Sequence, residues 1–169
     1  MNFLITICAR GGSKGIPKKN ILKLGNHPLI YYSIKIAQEF LVKRKGKIAL
    51  STDCNDIKKV ASFYGLDSNY TRNEKLSNDK AGKISAIEDI LKFQEKELNE
   101  KFDVILDLDV TSPLRTLNDL NSALEILLSD SNANNLISVS PANRNPYFNM
   151  VEKRGSYFFK VKDTHNFKS

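Results

Sequence analysis

Short apolar runs alternate with amphipathic stretches along this chain, and the first run leads straight into a glycine-rich cationic turn. That alternation predicts an α/β fold with layered helices and strands. Residues 3–8 are apolar and rich in β-branched side chains, which predicts a buried central strand. Pro28 suits the first turn of a helix over about 28–42, with Leu29, Ile30, Ser33, Ile34 and Ala37 on its buried face. Residues 47–50 read as a second strand, and Ser51, Thr52 and Asp53 offer caps for a helix over about 55–64 that stops at Gly65. A polar loop leads to a helix over about 83–98, with apolar Ile84, Ile87, Ile90 and Leu91. Strands follow at 104–108 and 136–139, separated by a helix over about 117–128, and residues 157–161 look strand-like. The expected architecture is one open, mostly parallel sheet with helices on both faces, in a single domain over residues 1–169. Its ligands belong at the carboxyl ends of the strands.

The turn at that position reads Ala9-Arg10-Gly11-Gly12-Ser13-Lys14-Gly15-Ile16-Pro17-Lys18-Lys19-Asn20. Glycines let a backbone bend tightly and bring N–H groups close to phosphate oxygens. Arg10, Lys14, Lys18 and Lys19 supply cations against the roughly four negative charges of a nucleoside triphosphate. The segment is neither a Walker A motif nor Gly-x-Gly-x-x-Gly, so a P-loop and a dinucleotide are both disfavoured.

The formal net charge of +7 makes anionic ligands plausible. Aromatic and basic residues are not interleaved as in RNA-binding modules, so nucleic acid is not expected. The run Lys43-Arg44-Lys45 reads as a solvated helix end. No apolar run approaches the roughly 20 residues of a membrane helix, and the N-terminus lacks the basic start of a signal peptide. A cytoplasmic location is the expectation. Cys8 and Cys54 have no metal-type spacing and read as reduced thiols near strand ends; His27 and His165 read as surface residues.

Four segments carry a resemblance. They are Ala9 to Ile16 with Lys19-Asn20, then Ser51-Thr52-Asp53, then Arg72 followed by Leu76-Ser77-Asn78-Asp79, and finally Thr111-Ser112-Pro113-Leu114-Arg115. In this order and spacing they resemble the acylneuraminate cytidylyltransferases, the CMP-sialic acid synthetases. The resemblance implies that a sugar's anomeric hydroxyl attacks the α-phosphorus of CTP and that pyrophosphate leaves, with Mg2+ as cofactor. Arg10 and Lys19 match basic positions placed on the triphosphate and are the candidate catalytic residues. Backbone N–H groups of Gly11, Gly12 and Ser13 match a phosphate cradle, and Lys14 matches either the phosphates or the sugar carboxylate. Ala9, Asn20, Arg72 and Ala81 match nucleotide-contacting positions.

This sequence departs from the family at Asp109, where glutamine is usual. A carboxylate at a strand end is a good magnesium ligand, so Asp109 is the expected one, with Asp107 on the same side of the strand as a second candidate. The other reading of either aspartate is turn capping. Lys83 stands where the family has a small hydroxyl residue near cytosine, which weakens the carry-over for base recognition. Asp109, together with the segment from Asn145 to Glu152, is most like the legionaminate branch, which supplies bacterial flagellar or surface glycans; sialic and pseudaminic acids stay open.

Family members run longer than this chain, so a C-terminal part with an Asp-x-Asp motif is expected to be missing. The full-length family dimerises, with Phe158, Phe159 and Phe167 as candidates for the exchanged segment. The alternatives are a catalytically incomplete CTP-binding module, or a nucleotidyltransferase acting on a sugar 1-phosphate or on ketodeoxyoctonate.

Overall fold

A computed structural model describes residues 1–13, 15–78, 81–141, 143–144, 146 and 150–162. The chain forms two compact units, Met1–Ile126 and Leu127–Ser169.

In the first unit, β1 (Asn2–Cys8) leads through the glycine-rich turn to a small β2 (Lys23–Leu24) and β3 (His27–Pro28) ribbon. Then come α1 (Leu29–Leu41), β4 (Lys45–Ser51), α2 (Asn55–Phe63), α3 (Lys83–Leu98), β5 (Val104–Asp107) and α4 (Leu117–Ser129), whose last residues pass into the second unit. The sheet has order β4-β1-β5, and β1 pairs parallel with both neighbours, Ile5 facing Ile48 on one side and Leu106 on the other.

Alternation along β1 explains why both sheet faces are covered. Phe3, Ile5 and Ile7 pack with Ile30, Ile34, Ala37 and Phe40 of α1, with Ile57 and Ala61 of α2, and with Leu120. Leu4 points the other way, onto Ile90 of α3, with Ala49 and Tyr70. Burying these side chains is the main stabilising contribution, about 1.5–3 kcal/mol for each large one.

The expected helices all form close to their predicted bounds, and α3 spans the residues that its sequence pattern predicts. Gly65 ends the α2 region at φ 81°, a backbone angle only glycine takes without strain. Four local expectations are corrected. The cap position of α2 is Cys54, with no side-chain cap. Pro28 precedes α1 instead of opening its first turn. Ile84 is 69% exposed because α3 buries Ala86, Ile90 and Gln94 instead. Arg44 is not merely solvated: it donates to the Phe40 carbonyl at 2.9 Å and lies 4.2 Å over the Phe40 ring.

The second unit carries a hairpin of β6 (Val151–Arg154) and β7 (Tyr157–Lys160), antiparallel, with Gly155 at φ 63° in its turn. Residues 136–139, expected as a strand, are not one: among the described residues no neighbouring strand offers them a ladder, and Val139 is 84% exposed. No helix among the described residues is long and apolar enough to cross a membrane.

Candidate active site

The strand order creates a switch point. The chain leaves β1 for β4 on one side and returns to β5 on the other, so the turns that follow β1 and β5 start side by side at the carboxyl edge of the sheet. A cleft of about 600 Å³ opens there. From the turn after β1 come Arg10, Ser13, Lys19 and Asn20. From the segment before and at the start of α3 come Arg72, Ala81 and Lys83, and from the turn after β5 come Asp109 and Thr111. Ala9, Gly11, Gly12 and Asp107 are not among the lining residues, and Lys14 lies outside the described residues.

The cationic turn is held from outside by carboxylates. The Gly11 N–H donates to Asp53 Oδ1 at 2.8 Å, and Lys18 Nζ donates to Asp56 Oδ2 at 2.9 Å. The Ser13 N–H donates to the Gly11 carbonyl at 3.0 Å. Two of the three N–H groups read as a phosphate cradle are thus engaged within the protein. The buried Asn20 amide donates to the Arg10 carbonyl at 2.9 Å and so fixes the turn itself. Gly11 has no room for a side chain, since a Cβ there would lie 2.9 Å from Cys54 Cβ. Lys18 sits at φ 52°, a left-handed angle unusual for lysine, immediately before Lys19.

Arg72 is only 7% exposed, and its guanidinium is tied to the end of β4. Nε donates to Ser51 Oγ at 2.9 Å and one Nη to the Ser51 carbonyl at 2.7 Å. The side chain shapes the cleft wall while fastening the strand beneath it.

The opposite wall is acidic and densely bonded. Lys83 Nζ lies 2.5 Å from Asp107 Oδ2 and 3.0 Å from Asp109 Oδ2. Asp107 Oδ1 accepts from the buried Thr6 hydroxyl at 2.9 Å. Asp109 Oδ1 accepts from the Thr111 N–H at 2.8 Å and the Thr111 hydroxyl at 2.7 Å, while Arg115 donates to the Asp109 carbonyl. Asp109 therefore closes its own turn and also faces Lys83.

Burial alone would raise the Asp109 carboxyl, but the Thr111 hydrogen bonds and Lys83 outweigh it and hold the group at about 2. Burial works against the Lys83 ammonium, and Asp107 and then Asp109 more than offset it, raising its pKa. Cys8, also on the lining, is pushed up to about 11 by burial and then by Asp107, so its thiol is protonated at neutral pH and is no nucleophile there. Both cysteines are free.

A family model for cytidylyltransferases matches residues 4–164. The chain belongs to the cytidylyltransferase family. Among curated relatives, this cytidylyltransferase is 40% identical over 160 residues to post-translational flagellin modification protein B of Campylobacter coli, covering 95% of this chain and 67% of that one. It is 40% identical over 161 residues, with the same shares, to the CMP-N,N'-diacetyllegionaminic acid synthase of Campylobacter jejuni. To the N-acylneuraminate cytidylyltransferase of Oncorhynchus mykiss it is 36% identical, over 72% of this chain and 26% of that one. The chain thus spans two thirds or less of the length of these relatives. In fold it is similar to CMP:2-keto-3-deoxy-manno-octonic acid synthetase complexed with CTP, at TM-score 0.62, 20% identity, 78% of this chain and 49% of that one.

Sequence reasoning named Arg10, Ser13, Lys19, Asn20, Arg72, Ala81 and Asp109, and one cleft gathers them. It missed the tethering of the turn by Asp53 and Asp56 and the bridging of both aspartates by Lys83. The one signal for Lys83 was its own departure from a small hydroxyl residue at the start of a helix.

Proposed function

We propose that this cytidylyltransferase transfers CMP from CTP to the anomeric hydroxyl of a nonulosonic acid, of legionaminic or sialic type, with pyrophosphate as the leaving group. The carrying observation is the cleft at the β1/β5 switch point, where Arg10 and Lys19 stand on one wall and Asp109 on the other. The CMP-N,N'-diacetyllegionaminic acid synthase of Campylobacter jejuni, 40% identical over 95% of this chain, favours a legionaminic acid over the pseudaminic acid named for Campylobacter relatives that match at 37% and 34% over 74%.

In this reading the triphosphate lies along the turn after β1. Arg10 and Lys19 neutralise its oxygens, and Lys14 contributes to the same cationic run. A new bond forms from the sugar oxygen to the α-phosphorus as the bond to the bridging oxygen breaks; the hydroxyl proton is lost to solvent. The protein contributes placement and charge, with no covalent intermediate. Asn20 and Arg72 serve indirectly, by fixing the turn and the end of β4.

Mg2+ belongs to the proposal. Asp109 and Asp107 would hold it, since carboxylate oxygens at a strand end suit a hard cation, and it would neutralise triphosphate charge. Among the described residues no group of three histidine, cysteine or acidic side chains surrounds such a position. The homodimer remains part of the reading, with exposed Phe158 and Phe159 of the hairpin as its candidate contact, to be tested by light scattering.

The deciding experiment incubates the chain with CTP, Mg2+ and a panel of nonulosonic acids and follows pyrophosphate. Release with a legionaminic acid supports the proposal. CTP binding without release from any acid assigns the chain as a nucleotide-binding module.

A further inference from the structure

Lys83 is placed against the electrostatics of its own helix. It is the first residue of α3, where the N-terminal end of the helix dipole disfavours a cation, and no acidic residue occupies that first turn. Something other than helix stability accounts for an ammonium there.

The hydrogen bonds supply the reason. Each of the two aspartates, Asp109 on the cleft lining and Asp107 at the end of β5, has one oxygen tied to the protein: Asp107 Oδ1 to the Thr6 hydroxyl, Asp109 Oδ1 to Thr111. Their other oxygens, both Oδ2, converge on the Lys83 ammonium at 2.5 and 3.0 Å. These are the two oxygens that a hard divalent cation would take, at about 2.0–2.6 Å. The ammonium and the metal ion cannot share that space, and their like charges repel. The Lys83 side chain is 42% exposed and sits on a flexible four-carbon stem, so it can leave.

We propose that Lys83 is the resident counter-cation of the cleft, holding Asp107 and Asp109 together until a divalent cation displaces it. Metal entry and ammonium release are then one exchange: the metal takes the two Oδ2 atoms, and the freed ammonium turns into the cleft that Arg10 and Lys19 line. Lys83 acts as a positioning residue that sets the threshold for the metal. The proposal rests on the reading of Asp107 and Asp109 as the Mg2+ ligands.

Mn2+ alone, without nucleotide, is the probe. Its affinity for the whole chain is measured by electron paramagnetic resonance for wild type, Lys83→Met and Lys83→Arg. The Met variant should bind Mn2+ at least tenfold more tightly than wild type, the Arg variant within about threefold of it, and Asp109→Asn added to the Met variant should remove the gain. Equal or weaker affinity in a folded Met variant, including no binding by either protein, overturns the proposal. Should circular dichroism show the variant unfolded, wild type decides by itself. Reductive methylation of Lys83, followed by mass spectrometry, should accelerate severalfold at saturating Mn2+, and an unchanged rate overturns the exchange. CTP binding by the same preparations is read separately. Its absence from wild type would sink the proposed transferase while leaving the Mn2+ result interpretable.

Discussion

The two walls of the cleft are built on opposite plans. The turn after β1 is cationic, and carboxylates from the start of the α2 region, Asp53 and Asp56, hold it in place. The turn after β5 is anionic and closes on itself through Asp109 and Thr111, with Lys83 across its mouth. The first wall is tethered by carboxylates that lie off the cleft lining, which leaves Arg10 and Lys19 on it. The second keeps its charges paired until a cation replaces one. A cleft that must accept a highly charged ligand benefits from both plans, because unpaired charge is costly wherever water is partly excluded.

Arg72 and Arg10 give the sharpest way to break that contrast. Both line the cleft, but Arg72 is buried and fastened to Ser51, whereas Arg10 belongs to the cationic turn. Arg72→Ala should cost about 3 kcal/mol, because it removes two charge-assisted bonds to Ser51 and empties a buried position; the Ser51 carbonyl keeps the Ala9 N–H as its donor. Thermal denaturation should then show a Tm lower by roughly 10 °C. Arg10→Ala should leave the melting curve near wild type and raise the Kd for CTP more than tenfold, since a charge-assisted phosphate contact contributes about 1.5–3 kcal/mol. Calorimetric titration checks it; unchanged affinity would remove Arg10 from the site.

The anionic wall is sharpened by acid. A carboxyl held at about 2 when folded contributes stability that is present above its unfolded value of about 4 and lost as pH falls through the folded value. Asp109→Asn should therefore lose less stability than wild type between about pH 4 and pH 2, read from urea midpoints across that range. The smallest effect belongs to Lys18→Ala. Its ion pair with Asp56 is fully exposed, and no measurable change in Tm is expected. A clear loss would mean that the turn is held more tightly than this geometry implies.

Much of the frame was legible because its signals are local. The apolar run of β1, the 3.6-residue periodicity of α1 and the glycine that ends α2 each lie within a few residues of the structure they specify. The placement of Arg10, Lys19 and Asp109 in one cleft followed from layering and from the resemblance together. What was not legible depends on partners far apart in the chain. Arg72 reaching Ser51, Asp53 reaching Gly11 and Lys83 reaching Asp107 are pairings that no window of sequence displays. Residues 136–139 fail for the converse reason. Leu136, Ile137 and Val139 have strand-like side chains, but a strand exists only beside another, and the described residues place none there. Ile84 shows that an apolar residue within a helix need not face its core when Ala86 and Ile90 already do.

The central claim is that the cationic turn after β1 holds the phosphates of a cytidine nucleotide. A crystal structure of this chain grown with CTP tests it most directly. The triphosphate should lie along the turn after β1, with Arg10 and Lys19 in contact with its oxygens and cytosine toward the segment before α3. Nucleotide bound elsewhere, with Arg10 and Lys19 turned to bulk solvent, would contradict it.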